Sequence, residues 1–131
     1  MRTFLIPFGL LLICIQPCFA QSDTQIDEKS TIPLEGEWTI DLRPTPASEA
    51  YLKEFVIVLN SDRTFSGEFY GSPVINGLIN RNWDNIYFAF STNDESNTYF
   101  HSGYLFENKI SGITYCPDRD FVAPWSGMKK K

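Results

Sequence analysis

Residues Leu34–Leu42 read LEGEWTIDL. Leu34, Gly36, Trp38, Ile40 and Leu42 alternate with Glu35, Glu37, Thr39 and Asp41, the period-two pattern of a strand with one face buried and the other in water. A helix, with 3.6 residues per turn, would scatter that set around its circumference. The same rhythm recurs outward from this run. EFVIVLN (54–60), TFSGEFY (64–70), VINGLI (74–79), IYFAFS (86–91), NTYFHSGYLF (97–106), ISGITYC (110–116) and DFVAPWSGM (120–128) are short and rich in β-branched and aromatic residues. Turn chemistry separates them: Ser61-Asp62-Arg63, Gly71-Ser72-Pro73, the polar stretches 80–85 and 92–96, Glu107-Asn108-Lys109, and Pro117.

Eight runs about ten residues apart, joined by hairpin-length links, predict an all-β domain: an eight-stranded antiparallel up-and-down (meander) β-barrel. Closure removes exposed edges and builds a core from inward side chains. Some details follow from the same reading. The segment RPTPASEAYLK (43–53) is expected to carry a helical turn, and Pro124 predicts an edge-like or bent last strand. Asn76-Gly77 is read as a kink within a strand, because Gly71-Ser72-Pro73 already turns the chain. Gly67, Gly77, Gly103 and Gly112 fall mid-strand, where bulges and sharp coiling occur.

Residues 1–20 have another character. Arg2 precedes an apolar run from Phe4 to Ile15, and Cys18-Phe19-Ala20 supplies small residues at −3 and −1, the layout of a signal peptide cut after Ala20. The run is shorter than the roughly 20 residues of a spanning helix and holds Pro7, with Pro17 just beyond, so no stable membrane anchor is expected. Ile13 and Pro17, which precede Cys14 and Cys18, are not the small residues that lipid attachment needs. Export to the periplasm or medium is the expectation. Residues 21–33, QSDTQIDEKSTIP, read as a flexible N-terminal arm, with the barrel domain over 34–131.

Cleavage would leave Cys116 as the sole cysteine, which cannot close an intramolecular bridge, so the fold must rest on its core. Cys116 itself reads as a small buried hydrophobe. The whole chain carries 11 Lys and Arg against 16 Asp and Glu, a formal net charge of −5 that becomes more negative when Arg2 is removed. With no basic stripe apart from Lys129-Lys130-Lys131, nucleic acid is not an expected partner.

The Gly36-Glu37-Trp38 motif, with TFSGEFYGSP, IYFAFS and HSGYLF, resembles the avidins and more loosely the lipocalins of the calycin superfamily, from about Leu34 to Cys116. That resemblance implies a barrel. The positions that hold biotin in avidins carry Ile40, Phe69, Gly71 and His101 here, so it does not imply biotin. In lipocalins the first-strand Trp packs against a basic residue of the last strand, a role the resemblance gives to Lys129 beside Trp38.

Projected onto a barrel, alternation points Trp38, Ile40, Phe65, Phe69, Phe88, Phe90, Asn97, Tyr99, His101 and Thr114 inward. Trp38, Phe69, Phe88, Tyr99, His101 and Thr114 are the candidate ligand-binding set, an apolar lining with a few polar groups suited to a small hydrophobic or amphipathic molecule. No catalytic constellation is legible. His101 is the sole histidine, so no histidine-based metal site is expected, and no cofactor is implied. The leading expectation is therefore a non-enzymatic barrel with a ligand inside. The alternatives are a protein-binding module, such as an inhibitor using residues 21–33, and a structural barrel with a solid core. Trp83 and Asp84 fall in a turn, where an aromatic either marks a contact surface or folds back as a cap.

Overall fold

The computed structural model describes residues 32–131; the expected signal peptide and residues 21–31 of the expected arm lie outside them. The chain forms β1 (Gly36–Asp41), β2 (Leu52–Leu59), β3 (Thr64–Phe69), the two-residue β4 (Ser72–Pro73), β5 (Ile75–Asn80), β6 (Ile86–Asn93), β7 (Thr98–Phe106), β8 (Lys109–Cys116) and β9 (Phe121–Lys129). Every long strand pairs antiparallel with its chain neighbour, and β9 returns to β1 through Trp38↔Lys129 to Asp41↔Ser126. The result is a closed eight-stranded meander barrel, with β4 a short extension beside β3.

Alternation builds the core. Trp38, Ile40, Phe55, Ile57, Phe65, Phe69, Ile79, Phe88, Phe90, Leu105, Ile110 and Trp125 are buried, and residues between them on the same strands face out. Glycine serves two functions in this curvature. A Cβ on Gly67, whose φ is +143°, would lie 1.9 Å from Val56 O, so only glycine lets β3 bend this tightly against β2. On β5, pairing slips by one residue between Ile75↔Ser91 and Leu78↔Ala89, and Asn76 has φ +51°. Asn76-Gly77 is thus a bulge within a strand, as the sequence suggested.

Three details differ from the sequence reading. Residues 43–51 hold bends and a single Ser48 N–H to Thr45 O turn rather than helix; Pro44 and Pro46 deny the backbone donors a helix needs. The one helical piece among the described residues is a 3-10 turn, Pro117–Arg119. β9 is not an edge strand. Pro124 lies where β9 pairs only with β8, because β1 joins it from Ser126 onward, so the missing N–H interrupts no ladder on the β1 side.

The barrel also begins before Leu34. Ile32 and Leu34 are both buried, Glu35 N–H closes a turn on Ile32 O, and Trp38 Nε1 donates to Leu34 O at 2.9 Å. The Glu35 carboxylate accepts from Leu59 N–H at 2.9 Å, tying this turn to β2. Ile32 and Pro33 therefore belong to the barrel and not to the arm.

Candidate functional site

Inside the barrel, the expected lining is largely assembled. Trp38, Phe69, Phe88, His101 and Thr114 are buried and inward. Lys129 Nζ lies 5.6 Å from the Trp38 ring centroid, and the same ammonium donates to Pro33 O at 3.0 Å. The first-strand tryptophan thus meets a base of the last strand in a cation–π contact.

Tyr99 departs from the set. It sits half-buried at the rim, where its hydroxyl donates to Asp94 Oδ2 at 2.9 Å and accepts from Arg119 Nη1 at 2.8 Å. Asn97, which alternation would place inside, belongs to the 94–97 turn, where its N–H is held by Asp94 Oδ1. Strand parity fails at a strand's first residues because the turn takes over the backbone. The donors on Asp94, Ser96 N–H foremost, then the Tyr99 hydroxyl and Asn97 N–H, hold its carboxyl below the usual range.

His101 anchors a buried polar chain. Its Nε2 is 2.9 Å from Thr92 Oγ1 and its Nδ1 2.8 Å from Thr114 Oγ1, while Trp125 Nε1 donates to Thr114 Oγ1 at 3.0 Å. Phe69 and Phe90 press on the imidazole at centroid distances of 4.4 and 4.5 Å. Burial pushes its pKa down to about 4, so the ring is neutral at pH 7. Among the described residues, every buried side-chain nitrogen and oxygen has a partner. A neutral imidazole engaged at both nitrogens can pin three strands together, but it offers no lone pair or proton to a ligand.

The remaining interior is filled by rings. Phe55 lies among Phe90, Phe69, Phe88, Trp125 and Phe65 at centroid distances of 5.0, 5.1, 6.0, 6.2 and 6.4 Å. Neither Phe55 nor Trp125 is in the sequence-derived set. EFVIVLN is apolar on both parities, which hides the inward one, and Thr92 lies just beyond the IYFAFS run. Cys116 is buried and free, as a small hydrophobe would be.

A second concavity lies elsewhere. A broad open depression of about 1340 Å³ is lined by Leu78, Tyr87, Ala89, Ser102, Tyr104, Ser111, Ile113, Pro124 and Ser126, together with loop residues including Arg43, Pro46, Arg63 and Arg81. Those strand residues are the outward positions of β5–β9, so the depression is on the outer wall, and the buried Ile79, Phe88 and Trp125 reach its floor from inside, beside Gly103 and Gly112. Register explains its floor. Ser126 pairs with Ser111, and Ser102 with Ala89, giving a diagonal of small side chains across four strands. Beneath that diagonal Gly103 faces Gly112, whose absent Cβ leaves room for the Trp125 ring inside. Larger residues flank it: Tyr87 beside Tyr104, and the row Phe100–Tyr115–Val122.

Charge divides the exterior in two. Outward positions of β1–β3 include Glu37, Asp41, Glu54 and Glu68; Lys130 bridges Glu37 and Glu54. On β6–β9 the outward residues are aromatic, aliphatic, hydroxyl-bearing or amide, and Lys109 at the start of β8 is the one charge. At the margin of the depression Asp41 accepts from Arg43 Nε at 2.8 Å, and that bond, with the Arg43 and Tyr51 N–H groups, lowers its pKa to about 2. Trp83 is 71% exposed on the β5–β6 turn, standing in water rather than capping the barrel. Among the described residues no group of three His, Cys, Asp or Glu is placed to hold a metal ion.

The fold and its surface define a class: a closed antiparallel meander barrel, packed solid with rings and two-faced outside. The chain matches no family model, no curated protein and no solved structure.

Proposed function

We propose that this chain is an exported, non-enzymatic, calycin-like binding barrel that engages its partner through the outer wall of β6–β9. The observation that carries this reading is the wall itself: contiguous rows of exposed aromatic and aliphatic side chains, interrupted by one charge, on a chain that is 21% charged overall. Charge depletion combined with Tyr, Phe and Met enrichment is the compositional mark of an interface core. The paired Trp38 and Lys129 support the calycin likeness. A ligand inside the barrel, the other expectation from sequence, would have to displace Phe55 or the rings around it.

Photocrosslinking tests the assignment. A benzophenone amino acid replaces Phe100 on the wall, or Val58 on the outward face of β2, in the chain produced by its own cells. Discrete adducts from position 100 and none from position 58 are expected. A stoichiometric small molecule retained in native mass spectra, with no adduct from position 100, would refute the wall reading in favour of the lumen.

A further inference from the structure

We propose that the occupant of the β6–β9 wall is a second copy of this chain, joined face to face in an isologous dimer; this rests on the wall reading above and names its partner. Size is the first argument. Tyr87, Phe100, Tyr104, Phe106, Tyr115, Leu78, Ile113, Val122 and Met128 are 39–67% exposed on adjacent strands. At roughly 150–250 Å² per aromatic and about 60–120 Å² per aliphatic side chain, they offer on the order of 600–800 Å² of surface. That exceeds the usual largest apolar patch of a monomer and approaches the ~800 Å² each partner gives to a stable complex.

Chemistry is the second argument. A partner that fits this wall must itself present a charge-free face, since any carboxylate or ammonium set against it would be desolvated without a mate. The β1–β3 face carries Glu37, Asp41, Glu54 and Glu68, and residues 21–31, QSDTQIDEKST, are polar and charged. Neither meets that requirement. The β6–β9 wall comes nearest to it: Lys109 is the one charge among its outward strand positions, and Asp41, Arg43, Asp62, Arg63 and Arg81 stand at the margin of its depression. Shape agrees, because one surface carries both a low diagonal (Ser126, Ser111, Ser102, Ala89) and raised rows (Tyr87–Tyr104, Phe100–Tyr115–Val122). A two-fold axis lying in the interface can set the rows of one copy into the diagonal of the other, as an isologous contact requires.

Sedimentation velocity on the protein purified from its producing cells decides the matter. A monomer–dimer equilibrium at micromolar concentration is expected. Ser102→Arg, at an exposed position where the guanidinium reaches water in the monomer, should weaken association roughly a hundredfold or more while leaving the unfolding midpoint unchanged. Val58→Arg on the opposite wall should leave association unaltered. A monomer mass up to about 1 mM, or a dimer indifferent to Ser102→Arg, overturns the proposal. Sedimentation with anionic phospholipid vesicles that Ser102→Glu abolishes would also overturn it, assigning the wall to a lipid surface. Adducts from position 100 at any mass other than twice the chain would refute the second copy yet leave the wall reading standing.

Discussion

Lowering the pH from neutrality should destabilise the barrel well before its carboxylates titrate, because of His101. In the unfolded chain an imidazole has its ordinary pKa near 6.5, and burial brings it to about 4 in the folded state. Between those values the unfolded state binds the extra proton, so stability rises with pH across the window and falls as acid is added. The difference between those two values means about 3 kcal/mol lost between pH 6.5 and 4. Against a typical net stability of roughly 5–15 kcal/mol, that loss is large. The groups around the ring are Thr92, Thr114, Phe69 and Phe90, none of which titrates in this range. Asp41 and Asp94, whose pKa values are lowered by folding, contribute stability that is present above the ordinary carboxylate value. It is lost only as pH falls below that value, for Asp41 down through about 2. Urea unfolding read by tryptophan fluorescence at half-unit pH steps measures the slope. His101→Gln, which keeps hydrogen-bonding capacity but cannot titrate, should flatten it above pH 4.5. An unchanged slope in that variant, or an imidazole titrating near 6.5 by NMR in the folded protein, would refute the argument.

Other substitutions probe the packing. Phe55→Ala removes the ring that five others surround and should cost about 3–5 kcal/mol in urea unfolding. Gly112→Ala places a Cβ 2.3 Å from Trp125 Cζ2, so about 1–3 kcal/mol of overpacking is expected, with a shift in the Trp125 emission. Trp83→Ala, at a side chain standing in solvent, should leave the unfolding midpoint within about 0.5 kcal/mol of the parent. It should nevertheless remove the fluorescence component most accessible to iodide quenching.

Most of the architecture could be read from alternation because each run sets polar residues against apolar ones, and LEGEWTIDL does so without ambiguity. Where both parities are apolar, the reading loses its footing. EFVIVLN conceals that Phe55 and Ile57 face in, so the ring that fills the centre was missing from the expected lining. Tyr99 shows a different failure. It has the inward parity of His101, but the turn anchored on Asp94 and the guanidinium of Arg119 draw its hydroxyl to the rim. The wall was hardest to see. Phe100, Ser102 and Tyr104 alternate with buried residues as any solvent face would, and only strand pairing shows that outward apolar residues from β5 to β9 form continuous rows. Charge depletion of one side of a cylinder is a property of register, which a linear string does not display.

The seam between β1 and β9 sets a condition on how this molecule is made. Trp38 to Asp41 find their second hydrogen-bonding neighbour only in residues 126–129, and Lys130 N–H adds a bond to Glu37 O. A nascent chain that has emerged as far as Cys116 holds seven of the eight staves but still has two raw margins. Locking must therefore wait for β9 to leave the ribosome. Until that moment the cylinder cannot shut, and truncation before Ser126 should give a product that proteases clear quickly.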